Sequence, residues 1–92
     1  MPYGVKTDHK IVPFGDNRMV LFETDSGARI VSAKRTSSDA FWVIHVESTP
    51  TSDDVKKDSR REAITTMMEL ALNKLGGQGY STTVPHGLLE LP

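Results

Sequence analysis

The sequence predicts an α+β domain in which a four- to five-stranded, mainly antiparallel sheet carries one long α-helix packed on one face. Three observations support this fold class. Short segments rich in strand-forming residues follow one another through the first half of the chain, and polar loops separate them. The second half contains one long stretch without Gly or Pro that has helical periodicity. Because short loops join consecutive strands, we expect them to form a β-meander.

The strands are predicted from runs of β-branched and aromatic residues bounded by turn residues. These runs are residues 10–14, 18–24, 28–35, 40–47 and, after the helix, 80–84. Pro13 predicts that the first strand lies at a sheet edge or ends there, because proline has no backbone donor. Gly27 predicts a positive φ in the hairpin loop at residues 25–27.

The helix is predicted over residues 60–75. Ser59 and Glu62 fit a capping box at its start, and Gly76 and Gly77 are typical of its C-terminal end. An earlier start near Thr51 would add two turns. Six residues at helical spacing form an apolar stripe that is expected to cover one face of the sheet: Ile64, Met67, Met68, Ala71, Leu72 and Leu75.

Both faces of the predicted sheet carry apolar side chains, whereas only one long helix is available to cover them. In residues 40–47 the two faces alternate as Trp42, Ile44 and Val46 against Phe41, Val43 and His45. Two outcomes stay open for the second face. Either the N-terminal arm and the tail leucines Leu88, Leu89 and Leu91 cover it, or it is an exposed patch for a protein partner or a second copy.

Composition disfavours several classes of function. Residues 1–92 are expected to form a single domain, which leaves little room for a deep cleft. The net charge of −1 provides no global attraction to nucleic acid, and the lack of cysteine excludes disulfides and thiolate metal sites. No apolar run resembles a signal peptide or spans a bilayer, so we expect a cytoplasmic location and no membrane association.

No motif in the sequence predicts catalysis. His9, His45 and His86 lie far apart and match no metal-ligand spacing. The glycines at 76–79 follow a helix, whereas phosphate-binding loops precede one. Ser and Thr residues fall in turns and caps, without a nucleophile elbow. We therefore expect a protein that is not an enzyme, with no catalytic residues, no metal and no cofactor.

Two basic groups provide the candidate binding residues, one at the helix start and one at a strand end. Asp53 with Lys57, and Asp58 with Arg61, have helical pair spacing, so a self-neutralised helix end is one interpretation. The other is a partner-binding patch, in which case reversing Lys57 and Arg61 to Glu weakens binding without unfolding the domain. The candidate partner-binding residues are Lys34, Arg35, Lys56, Lys57, Arg60 and Arg61.

The size of the chain and the order of its elements resemble those of the small phage-encoded anti-CRISPR inhibitors. The features that carry the resemblance are the hairpin at residues 25–27, the strand at 40–47, and the helix at 59–77 followed by a short C-terminal strand. The resemblance implies a non-enzymatic inhibitor that binds a CRISPR effector complex, a ribonucleoprotein, and blocks its binding of target DNA. If the protein is phage-encoded, the resemblance also implies that it acts in the host cytoplasm. It rests on no shared motif and transfers no site residue.

The function that the sequence favours is stoichiometric binding to a protein surface, as a monomer or a homodimer, with direct nucleic-acid contact secondary. One alternative is a small nucleic-acid-binding domain that uses its sheet and the basic helix start, with an affinity that falls steeply with salt. Another is a homodimeric structural or accessory subunit whose second apolar sheet face lies at the twofold seam.

Overall fold

A computed structural model describes residues 7–74 and 80–92, which form a six-stranded mixed sheet and one α-helix. The elements are β1 (Thr7–Pro13), β2 (Arg18–Glu23), β3 (Arg29–Lys34), β4 (Trp42–Val46), β5 (Val55–Lys57), α1 (Arg60–Lys74) and β6 (Tyr80–Thr83). Short 3₁₀ turns occupy Thr51–Asp53 and Leu88–Glu90. The strand order is β5-β4-β3-β2-β1-β6, and the predicted α+β class is confirmed.

The first four strands form the predicted meander, β5 extends it by one antiparallel strand, and the last strand makes the sheet mixed. Each of β1 to β4 pairs antiparallel with its successor, whereas β6 pairs parallel with β1. Since α1 connects β5 at one edge to β6 at the other, β6 enters the sheet in the direction of β1. The sheet has one strand more than the predicted four to five. The strand that the sequence did not predict is β5, whose three residues include only one apolar side chain, Val55.

The turn residues act largely as predicted. Pro13 is the last residue of β1, although β1 is not an edge strand, because β6 pairs with its first four residues. Gly27 has a φ of +73°, which confirms the prediction for the hairpin loop. The strand register shifts between Leu21 and Phe22, as expected for a hairpin with a bulge.

The helix begins where the capping residues predict. The Ser59 hydroxyl accepts a hydrogen bond of 3.1 Å from the Glu62 backbone N–H, and α1 starts at Arg60. The earlier start near Thr51 is wrong, because a 3₁₀ turn and β5 occupy those residues. Its predicted end at Gly76 and Gly77, and Leu75 of the stripe, lie outside the described residues. Within the stripe, Ile64, Met67 and Ala71 are buried, Met68 is partly buried, and Leu72 is 39% exposed.

The hydrophobic core lies between α1 and one face of the sheet, which we call the helix face. The strand residues buried there are Ile11, Met19, Leu21, Val31, Ala33, Trp42 and Ile44. Leu88 joins this core at 4% exposure and Leu89 packs against it, whereas Leu91 is 49% exposed. The tail therefore packs in part against the body, on the helix face, and Leu88 and Leu89 do not cover the second face of the sheet. Among the described residues, no helix or strand packs on the opposite surface of the sheet, which we call the open face.

Candidate binding surface on the open face

The two basic groups that the sequence singles out lie at the same end of the sheet. Lys34 ends β3, Lys56 and Lys57 end β5, and α1 begins with Arg60 immediately afterwards. The antiparallel pairing of β3 with β4 and of β4 with β5 brings these strand ends to one side. Their side chains, however, separate between the two faces of the sheet.

Arg35 and Arg60 both pack against Trp42, Arg35 partly buried and Arg60 buried. Their guanidinium groups lie 4.5 and 4.9 Å from the centre of the Trp42 ring. Arg60 donates hydrogen bonds to the carbonyl oxygens of Asp16 at 2.8 Å and of Pro92 at 3.2 Å. Arg35 donates to the same two oxygens. Since Arg60 is only 2% exposed, it acts as a structural residue that connects the turn after β1 and the C-terminal tail to Trp42.

The charge of Arg60 is held in a polar but dehydrated environment. Burial lowers the pKa of Arg60 and the neighbouring Arg35 lowers it further, whereas Asp16 raises it. Arginine nevertheless stays protonated in proteins. The carbonyl oxygens and the face of the Trp42 ring therefore stabilise two like charges at this position.

Lys57 and Arg61 lie on the helix side of the sheet end. They line an open groove of about 440 Å³ together with Glu62 and Glu69, so its two cations are matched by two carboxylates. The predicted ion pairs of Asp53 with Lys57 and of Asp58 with Arg61 are not among the ion pairs of residues 7–74 and 80–92. The helical spacing assumed for Asp53 and Lys57 is absent, because one lies in a 3₁₀ turn and the other in β5.

Lys34 and Lys56 face the opposite way and belong to a row of side chains that crosses the open face. Direct strand partners connect Arg18 to Lys34, Lys34 to Val43, and Val43 to Lys56. Neighbouring strands are about 4.8 Å apart, so this cationic row (Arg18, Lys34, Val43 and Lys56) extends over about 14 Å. None of its three cations takes part in an ion pair with another described residue.

An exposed phenylalanine lies at each end of the cationic row. The Arg18 guanidinium is 5.2 Å from the centre of the Phe14 ring, and the Lys56 ammonium is 5.2 Å from that of Phe41. Phe14 and Phe41 are 46% and 45% exposed. A groove of about 300 Å³, lined in part by Lys34, Phe41 and Val43, lies within the row. The row thus combines positive charge with accessible aromatic and apolar surface.

Two acidic side chains of the open face, Glu47 and Asp54, lie beside the cationic row and have polar partners of their own. His45 Nδ1 is 2.6 Å from Asp54 Oδ1, and its Nε2 is 3.8 Å from Glu47 Oε2. Arg29 Nε is 3.3 Å from Glu47 Oε1. These groups border a groove of about 480 Å³ that extends to Arg18 and Lys34. The Arg29 guanidinium thus offsets the charge of Glu47, and the His45 ring is the hydrogen-bond partner of Asp54.

Arg18, Phe14 and Phe41 were not among the candidate binding residues predicted from the sequence. The available signal was strand alternation, which places Arg18 on the same side as Val20 and places Phe41 opposite Trp42. Alternation separates the two faces but does not show which of them the helix covers. That assignment requires the packing of α1.

Metal binding, membrane insertion and similarity to known proteins also bear on the function. Within residues 7–74 and 80–92, no three His, Asp or Glu side chains are grouped closely enough to hold a metal ion, and no helix is long and apolar enough to cross a membrane. No protein-family model, curated protein or solved structure matches the chain. No function, ligand or partner is therefore carried over from a known protein, and the cationic row is the candidate site.

Proposed function

We propose that the protein is a non-enzymatic binding module that captures an anionic macromolecule on its open face. The observation that carries this proposal is the cationic row, whose three cations have no ion-pair partner among the described residues. The whole chain has a net charge of −1, so the row is a local concentration of positive charge on a nearly neutral protein. A macromolecule of complementary charge would be attracted to this end of the sheet.

A ribonucleoprotein fits this description. It presents both acidic protein surface and nucleic-acid phosphates, either of which complements the cationic row. The resemblance to anti-CRISPR inhibitors implies a CRISPR effector complex as that ribonucleoprotein. On this proposal the protein binds the complex stoichiometrically and inhibits it by occupying a surface that target DNA needs.

The alternative of a homodimer with the open face at its twofold seam is less favourable. A twofold interface places the same patch of both copies against each other. The Lys34 and Lys56 side chains of the two copies would then lie close to each other, and neither lysine has an ion-pair partner among the described residues. Repulsion between like charges opposes such an interface.

Charge reversal in two matched pairs tests the proposal. Lys34→Glu with Lys56→Glu alters the cationic row, whereas Lys57→Glu with Arg61→Glu makes the same change in net charge on the helix side. Tagged wild-type protein and both variants are used for affinity capture from cell extract, with and without nuclease. We expect the wild type and the helix-side variant to recover the same partner, and the row variant to lose it.

The thermal unfolding of each variant, followed by circular dichroism, establishes that it is folded before the capture is interpreted. Equal recovery by all three folded proteins would contradict a site on the open face. Loss of recovery in the Lys57→Glu and Arg61→Glu variant alone would place the site on the helix side of the sheet.

A further inference from the structure

We infer that the macromolecule bound by the cationic row is a single-stranded nucleic acid whose backbone crosses the strands between Phe14 and Phe41. This inference rests on the proposed function and specifies the chemical class of the partner. Three properties of the row lead to it: the spacing of its cations, the exposed rings at its ends, and its residue types.

The spacing of the cations fits a repeating anion. Arg18 and Lys34 lie on adjacent strands, and Lys56 lies two strands further along the same row. With about 4.8 Å between neighbouring strands, three positive charges are distributed over about 14 Å. A nucleic-acid strand carries one phosphate per nucleotide, so a backbone crossing the strands can contact several of these cations together.

The exposed rings fit unpaired bases. Each base has a π face that stacks on an aromatic side chain, and such stacking requires no particular sequence. Phe14 and Phe41 are each nearly half exposed, and each has a cation 5.2 Å from the ring centre. A base stacked at either ring therefore has a positive charge close by for its phosphate. In a duplex the base faces are hidden within the stack, so this arrangement favours a single strand over a double helix.

The residue types favour nucleic acid over an acidic protein surface. Protein–protein interfaces are enriched in Tyr, Trp and Arg and depleted in Lys. Two of the three cations in the row are lysines, and Trp42, next to Phe41 in sequence, is fully buried on the helix face. The groove beside Phe41 is lined by Val43 and by Lys34, which gives a stacked base an apolar contact next to a cation.

Fluorescence anisotropy with labelled oligonucleotides of about twelve nucleotides, within the range of site sizes of single-strand-binding modules, tests the inference. Oligo-U, oligo-dT and a duplex of equal length are titrated with the protein at several salt concentrations. We expect both single strands to bind more tightly than the duplex. The logarithm of the binding constant should fall with the logarithm of salt concentration with a slope of about −2, because three contacts contribute about 0.7 each.

Adjacent residues of β5 supply the matched control. We expect Lys56→Gln to weaken binding and reduce the salt slope by about 0.7, whereas Lys57→Gln, which alters the helix face, leaves both unchanged. We expect Phe41→Ala, at an exposed position, to weaken binding several-fold without changing the salt slope. A patch that acts through charge alone would show no effect of this last substitution.

Tighter binding of the duplex, or unchanged affinity of the Phe41→Ala variant, would overturn the inference. So would binding of poly-glutamate in place of the oligonucleotides, although the row would then still bind an anionic macromolecule and the proposed function would stand. If neither polymer binds and the Lys34→Glu and Lys56→Glu variant still recovers the cellular partner, both proposals fail. A preference for oligo-U or for oligo-dT supports the inference and identifies the source as RNA or DNA.

Discussion

Replacing Arg60 with alanine tests whether this arginine is structural. Its side chain is 2% exposed, so the substitution removes a buried stem, a guanidinium 4.9 Å from the Trp42 ring centre, and hydrogen bonds to the carbonyls of Asp16 and Pro92. A desolvated cation–π contact contributes about 2 kcal/mol. A hydrogen bond from a charged donor contributes about 1.5 to 3 kcal/mol.

Two effects reduce the expected loss. Arg35 donates to the same carbonyl oxygens at 3.1 and 3.2 Å, so neither acceptor is left without a hydrogen bond. The substitution also relieves the burial of charge and the repulsion from Arg35 that lower the pKa of Arg60. We therefore expect Arg60→Ala to reduce the free energy of unfolding by about 2 to 4 kcal/mol. Arg60→Lys, which keeps the charge but loses the planar donor, should lose about half as much.

The assay uses the protein's own fluorescence. Trp42 is the only tryptophan, so its emission reports directly on the site of the substitution. Urea titrations at equilibrium give the free energy of unfolding by linear extrapolation. Arg61→Ala, at the adjacent exposed position, is the control and should cost less than about 1 kcal/mol. A loss below about 0.5 kcal/mol for Arg60→Ala, with unchanged emission, would refute this reasoning and restore Arg60 as a candidate partner contact.

Three further substitutions have defined expected effects. His9 is 1% exposed, and burial lowers its pKa below the ordinary 6.5. This side chain therefore binds a proton more tightly in the unfolded chain than in the folded protein. The free energy of unfolding should therefore decrease as the pH falls below 6.5. Urea titrations across this pH range should show that His9→Gln weakens the pH dependence. His86→Gln, at an exposed position, is the control and should leave the pH dependence unchanged. Ser59→Ala removes the hydrogen bond to the first turn of α1 and should cost about 1 kcal/mol in the same titrations, whereas Ser59→Asp, another capping residue, should retain most of the stability. Leu88 is 4% exposed, so Leu88→Ala should reduce the free energy of unfolding by about 2 to 4 kcal/mol. Leu91 is 49% exposed, and an equal loss for Leu91→Ala would contradict the packing of the tail.

Local sequence signals predicted much of the fold. Alternation in residues 40–47 predicted a strand, and the core contains Trp42 and Ile44 from one of its two sides. Ser59 predicted the start of α1, and Gly27 the hairpin with positive φ. These signals succeed because a cap or a tight turn is determined by a few adjacent residues.

Features that depend on distant partners were not predicted. Two of the three residues of β5 are lysines. Lysine is common at the edges of sheets but gives only a weak signal for a strand in the sequence. Arg60 was taken for a surface residue because arginine is rarely fully buried, and its acceptors, Asp16 and Pro92, lie far from it in sequence. The cationic row depends on strand register, which places Arg18 beside Lys34.

The parallel pairing of β1 with β6 affects how the chain folds. It joins Thr7 to Tyr80 and Lys10 to Thr83, the largest sequence separation of any strand pair in the described sheet. Closing so long a loop is entropically costly, and non-local contacts of this kind slow folding, so we expect the meander to form first and β6 to dock last. Until then β1 is an unprotected edge. Its Lys10 and Pro13 are residue types that oppose the addition of a foreign strand, so they would limit aggregation while the sheet is incomplete.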